Sequence, residues 1–275
     1  MSIAWVEPDA PLPDVSRGLP GGLIAAGLDL SAARLHEAYR KGIFPWYGPG
    51  DPVLWWSPDP RMLLRCEDFH LSRSLAKRLR QFDREAAPGA AARGFLRVTL
   101  NRAFPEVIAH CARRGAPRLG MGAARAGQPW TPGGPAEGRD GTWITPDIIR
   151  VYTDWHRQGY VHSVETWIGD RLAGGLYGVS LGRCFFGESM FSLAADASKV
   201  ALACLVSRLR TQGVPWIDCQ QETPHLASLG ARPVPRSRFL ALLAAGRDAP
   251  PPAWGPGRLR ADGRLEPDLA AGDPS

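Results

Sequence analysis

The chain has no window approaching eighteen consecutive apolar residues, so a membrane-spanning helix is not expected. Its first residues, "MSIAWVEPDAPLPD", carry acids and prolines where a secretory leader needs a basic start and an apolar run. Together these absences set the expectation of a cytoplasmic protein with no membrane partner. The cysteines, Cys66, Cys111, Cys184, Cys204 and Cys219, are odd in number, widely spread and form no C-x-x-C pair. Buried free thiols are therefore expected instead of zinc or dithiol chemistry. A nucleophile pair of Cys219 with His225 or His162 is disfavoured, because a strand through Cys219 points its thiol away from Asp218 and nothing marks it as activated. There is no internal repeat.

What is present is enough for one large domain or two modest ones, at 275 residues and 44% hydrophobic content. A formal charge of +6 fits an anionic partner without identifying one. Residues 1–20 and 246–275 are rich in Pro, Gly, Ala and charge without apolar periodicity, and predict disorder. The stretch 113–141 has the same character and predicts a long exposed loop or insertion. A domain boundary is expected near residues 62–70. This divides the chain into a small N-terminal domain over 1–64, a larger domain over 65–245 and a tail.

The spacing predicts helices capped by Ser31, Ser72 and Thr145, the last with Pro146 at its first position and an apolar face of Ile148, Tyr152 and Trp155. Three strand-like runs follow, "VHSVETWI", "RLAGGLYGVS" and "CFFGESMF", joined by short turns as an antiparallel meander. Next come a helix over "SKVALACLVSRLRTQG", a short strand "VPWIDCQ" and two short helices. Helix, meander, helix, strand, helix is the order of an acyltransferase-like α+β or α/β domain.

Two strands place polar groups on apolar walls. By alternation Glu188 shares its face with Phe186 and Met190, where an unpaired charge is costly. Asp218 and Gln220 likewise share a face with Trp216, while Ile217 and Cys219 point the other way. If the two strands are neighbours, Glu188, Asp218 and Gln220 converge on the floor of one cleft beside Met190; the alternative is strand-edge groups making structural hydrogen bonds. On the helix after Ser72, the residues Arg73, Lys77, Arg80 and Arg84 form one basic stripe, suited to phosphates or simply solvated. The aromatics Trp46, Tyr47, Trp55 and Trp56 suit base stacking or a mini-core. An acetyl-CoA enzyme wants a glycine-rich turn after the third strand to receive the pyrophosphate, and the junction "SLAADASKVA" has no glycine.

The motifs "GIFPWY", "LWWSPDPR", "GTWIT", "HSVETW", "GGLYGVSLG", "FFGESMFS", "ASKVAL", "IDCQ" and "HLASLGA", in this order over residues 19–245, resemble the bacterial leucyl/phenylalanyl-tRNA–protein transferases. The resemblance implies an acetyltransferase-like (GNAT) domain preceded by a small N-terminal α/β domain. It implies transfer of leucine, phenylalanine or methionine from aminoacyl-tRNA to proteins beginning with Arg or Lys, marking them for degradation. Glu188, Asp218 and Gln220 match the catalytic set. Met190 and Leu176, with Phe185 nearby, match the aminoacyl pocket. Trp46 and Trp143 match aromatics associated with the aminoacyl-adenosine end, and Arg61 joins the basic stripe as a tRNA contact. A monomer with no metal or cofactor is expected. The rivals are a CoA-dependent N-acetyltransferase and a non-catalytic RNA-binding module.

Overall fold

The computed structural model describes residues 3–85, 96–113 and 143–267. The N-terminal elements are β1 (Ala4–Val6), β2 (Leu23–Gly27), α1 (Ala32–Arg40), β3 (Phe44–Pro45) and β4 (Val53–Trp56), and their strands form one sheet in the order β1-β2-β4-β3. The chain continues through β5 (Arg61–Arg65), α2 (Arg73–Glu85), β6 (Leu96–Leu100), α3 (Phe104–Cys111), α4 (Pro146–Arg157), β7 (Val161–Ile168), β8 (Arg171–Leu181) and β9 (Cys184–Ser192). It closes with α5 (Ala197–Thr211), β10 (Trp216–Asp218), α6 (Pro224–Ser228), β11 (Arg232–Val234), α7 (Arg236–Gly246), β12 (Gly257–Leu259) and β13 (Leu265–Pro267). A second, nine-stranded sheet runs β11-β5-β10-β9-β8-β7-β6-β12-β13, so the fold is mixed α/β with a small N-terminal unit.

The expected caps form. Ser31 Oγ accepts from Arg34 N at 3.1 Å, and Thr145 Oγ1 accepts from Ile148 N at 3.3 Å, each satisfying an orphan donor for about 1 kcal/mol. The meander β7-β8-β9 is antiparallel, and β10 adds to β9 in parallel with α5 as the crossover. One side of the large sheet packs on α1, α3, α4 and α7 through Tyr39, Phe104, Trp155, Phe186 and Phe239. The other side packs on α5 through Leu64, Leu176, Phe185, Met190 and Leu205.

Two expectations require correction, and a third falls outside the described residues. The ends are not structureless: β1 pairs with β2, and residues beyond 246 deliver β12 and β13 to the edge of the large sheet. Trp254 anchors that last segment, stacking on His162 at 4.3 Å and donating its indole N–H to Ser180 Oγ at 3.0 Å. A boundary at 62–70 would cut through β5, which belongs to the large sheet through its pairing with β10 and β11; the change of sheet falls between Trp56 and Arg61. Of the anticipated 113–141 insertion, residues 114–141 lie outside the described residues.

Candidate active site

Strand β9 is not regular. Tyr177 on β8 opposes Ser189, but the next residue, Gly178, opposes Gly187, so Glu188 is an extra residue with no partner on β8. A bulge of this kind bends the strand and resets its alternation. Phe186 and Phe191 therefore face the α4 side, whereas Phe185 and Met190 face α5. This corrects the expectation that Glu188 and Met190 share a wall. Glycine is required at the bulge: a Cβ on Gly178 would lie 2.3 Å from the Phe186 carbonyl oxygen.

Glu188 points into a cluster of tyrosines. Its Oε1 accepts from the Tyr39 hydroxyl at 2.6 Å, and the Tyr39 and Tyr152 hydroxyls are 2.7 Å apart. Burial pushes the Glu188 carboxyl up to about 8, opposed by the Tyr39 bond, raised further by Asp218 and lowered by Arg61 and Tyr152. Near neutral pH the group is therefore largely protonated. The Tyr177 hydroxyl, on the same side, is buried with no hydrogen-bond partner among the described residues.

Asp218 pairs across the sheet with Phe186, which brings it to the Glu188 side. Arg61 on β5 grips it with two bonds, Nε to Oδ1 at 2.8 Å and Nη2 to Oδ2 at 2.6 Å. The guanidinium lies between the Phe44 and Phe239 rings, 4.9 and 4.4 Å from their centroids. Arg61 and Asp218 side chains are 1% and 0% exposed, so Arg61 cannot touch an RNA backbone, and its assignment as a tRNA contact is corrected to that of Asp218's partner.

Gln220 is not on the strand. β10 ends at Asp218, and Gln220 adopts φ 58°, the left-handed region that non-glycine residues rarely occupy. The turn is held by Asp218 Oδ1, which accepts from Gln220 N at 2.9 Å, and by the Gln220 carbonyl, which accepts from Met62 N at 3.1 Å. Alternation thus does not bring Gln220 beside Asp218; a local turn does. Its side-chain Nε2 is buried with no hydrogen-bond partner among the described residues.

The remaining expected residues divide between the two sides. Leu176 and Met190 are cross-strand neighbours and pack with Phe185 on the α5 side, all three at most 1% exposed. Trp46 and Trp143 belong to the opposite core, where Trp46's carbonyl accepts from the Trp56 indole at 2.7 Å and Trp143's indole N–H is buried with no partner among the described residues. Arg73, Lys77 and Arg80 are exposed along α2, while Arg84's side chain lies outside the described residues. Cys219 is fully buried, and burial drives its thiol far above the ordinary value. Among the described residues no group of three His, Cys, Asp or Glu side chains is disposed to hold a metal ion. No described helix is long and apolar enough to cross a membrane.

Comparison with known proteins follows the same residues. The family model described as leucyl/phenylalanyl-tRNA protein transferase matches residues 133–244, and that of its N-terminal domain matches residues 28–59. Over 269 residues, 97% of each chain, the protein is 52% identical to the leucyl/phenylalanyl-tRNA–protein transferase of Bordetella petrii. The chain belongs to this family. The namesake from Methylibium petroleiphilum is 51% identical over 91% of this chain and 86% of its own, and that of Chromobacterium violaceum 46% identical over 91% and 94%. Within this transferase framework, sequence reasoning missed Tyr39, Tyr152 and Tyr177 around Glu188 and the Arg61 clamp on Asp218. It also missed Glu165, a buried carboxyl pushed up to about 7 by burial, which accepts from Ser163 Oγ at 2.5 Å and Ala103 N at 3.3 Å beside the start of α3. The available signal was an acid in "HSVETW", placed like Glu188 inside an apolar strand.

Proposed function

We propose that this chain transfers leucine, phenylalanine or methionine from aminoacyl-tRNA to the α-amino group of proteins beginning with Arg or Lys. The new N-terminus serves as a degradation signal in the cytoplasm. The observation that carries the reading is the meeting of Glu188 from β9 with the Arg61-clamped Asp218 and the orphaned amide of Gln220 at the end of β10. The single parallel pair β9-β10 among the described strands of the large sheet, crossed by α5, is what supports a GNAT-like domain that begins at β5.

The amine nitrogen attacks the ester carbonyl carbon, the bond to the ribose oxygen breaks, and the amine's proton ends on that ribose oxygen. An α-amino group with an ordinary pKa of about 7.7–8.0 is partly neutral at cellular pH, so positioning suffices where a strong base would otherwise be needed. Gln220 orients the reacting groups through its free amide. Asp218 holds the Gln220 turn, and its charge is already taken by Arg61. Glu188, in its protonated form, donates; in its ionised form it favours a cationic acceptor. The adenosine end is assigned to Trp46 and Trp143, on the Glu188 side of the large sheet, and the tRNA backbone to Arg73, Lys77, Arg80 and Arg84, whereas Met190, Leu176 and Phe185 pack across the sheet from Glu188 and are not assigned to the donor side chain.

The CoA-dependent alternative is unsupported. The first N–H groups of α5, which would receive a pyrophosphate, are already used: Ala197 N donates to Ala194 O at 3.2 Å and Ser198 N to Ser192 Oγ at 3.1 Å. The test supplies labelled Leu-tRNA or labelled acetyl-CoA with a peptide beginning in Arg. Leucine at the peptide's N-terminus is expected; an acetyl group there, or no label, refutes the reading.

A further inference from the structure

A groove of about 730 Å³ opens at the end of the large sheet opposite Asp218, where β5 leaves and β10 enters. Its floor is apolar, built from Leu63, Cys66, Val214 and Trp216, all at most 3% exposed. Its rim carries arginines from four separate elements: Arg65 at the end of β5, Arg210 on α5, Arg232 on β11 and Arg238 on α7. Glu67 and Asp68 also line it, and both pair with Arg65, at the Nη2 and at 3.8 Å from the Nε respectively. Arg210, Arg232 and Arg238 are exposed and have no ion-pair partner among the described residues. The four arginines outnumber the two acids, so the groove is cationic by two charges. Three uncompensated arginines converging from distant parts of the chain onto a formed concavity repel one another unless an anion lies between them.

We infer that this groove binds the phosphodiester backbone of the donor tRNA, as a second footprint beyond the α2 stripe. The inference rests on the proposed function, which supplies a polyanion whose reactive end lies at Gln220. β10 separates groove from site by three residues, a rise of about 7 Å, so RNA reaching one passes close to the other. Arginine suits the task because its planar fork pairs two phosphate oxygens at once. The apolar floor accepts a sugar face without base-specific contact, so the footprint adds affinity and salt dependence and no sequence preference.

The test is Arg210→Ala/Arg232→Ala/Arg238→Ala, assayed with full-length Phe-tRNA, with the 3′-terminal aminoacyl-adenosine fragment, which carries no phosphodiester, and by anisotropy with uncharged tRNA. Each neutralised phosphate contributes a salt slope of about 0.7 to 0.9. Raising salt fourfold should therefore weaken wild-type tRNA binding roughly 20- to 40-fold more than it weakens the triple variant. KM for full-length Phe-tRNA is expected to rise at low salt, with kcat and the fragment's KM unchanged. An unchanged tRNA KM and salt slope overturns the inference, as does an equal effect on the fragment. A raised KM for the acceptor protein alone also overturns it, and makes the groove a protein-docking surface. Wild-type protein that transfers no aminoacyl group refutes the proposed function instead, and the anisotropy measurement still decides the groove.

Discussion

Replacing Glu188 by Gln removes a proton-binding site that the folded protein has and the unfolded chain lacks at neutral pH. In the unfolded chain the carboxyl titrates at its ordinary 4.5; in the fold, burial moves it up to about 8. Between these values the native state holds one more proton than the unfolded state, so wild-type stability falls as pH rises, by about 1.4 kcal/mol per pH unit. The contribution is fully present below the lower value and gone above the higher. Glu188→Gln keeps the shape and accepts from Tyr39 without titrating, so the difference between variant and wild type carries the whole pH dependence of this group. From pH 5.5 to 7.5 the variant should gain about 3 kcal/mol relative to wild type, roughly 6–10 °C in Tm. Glu165 titrates in the same range but is common to both proteins and cancels. Urea unfolding of the pair at four pH values reads this directly, and Tyr39→Phe, which removes a bond that lowers the carboxyl, should move the window upward. A variant-minus-wild-type difference that is flat with pH refutes a buried, proton-holding Glu188.

Arg61→Met leaves Asp218 buried and unpaired and should cost about 3–5 kcal/mol in chemical denaturation, while adding Asp218→Leu should recover part of that stability; equal destabilisation in single and double variants would contradict the clamp. Gln220→Ala should lower kcat with little change in KM for Phe-tRNA, and unchanged turnover would remove Gln220 from the reaction. Reversing Arg73, Lys77 and Arg80 to Glu should weaken tRNA binding and reduce its salt slope by about one for each phosphate no longer neutralised; an unaltered slope would mean a merely solvated helix face. All five cysteines are buried, and Cys66, Cys111 and Cys184 are pushed up to about 12, so iodoacetamide at pH 8 should leave transfer intact; rapid inactivation would mean a thiol is accessible.

Local chemistry made several elements legible. A cap at Thr145, a proline at the next position and a 3.6-residue apolar stripe specify α4 without reference to anything distant. Glu188 and Asp218 stood out because acids inside apolar strands demand partners, and the neighbouring strands β9 and β10 do bring them together. What the pattern concealed was long-range or irregular. The Arg61 clamp joins residues 157 apart in the chain, and an arginine in "PDPR" gives no sign of being buried. The bulge at Glu188 breaks the period of two on which face assignments rest, so Met190 was placed on the wrong side. The C-terminal segment looked featureless by composition, yet Trp254, clamped by Asn101, His162 and Ser180, holds it to the sheet.

The unmatched residue of β9 makes that strand a reversing junction between two interiors. Ahead of it, Phe186 serves the aromatic chamber under α4; beyond it, Met190 serves the aliphatic chamber under α5, and Glu188 sits at the changeover. Loops elsewhere can lengthen freely, but removing one residue from "FGESMF" would exchange the contents of both chambers at a stroke, swinging a thioether among tyrosine hydroxyls and a benzyl ring against α5. Length at this point is thus as strictly specified as any side chain.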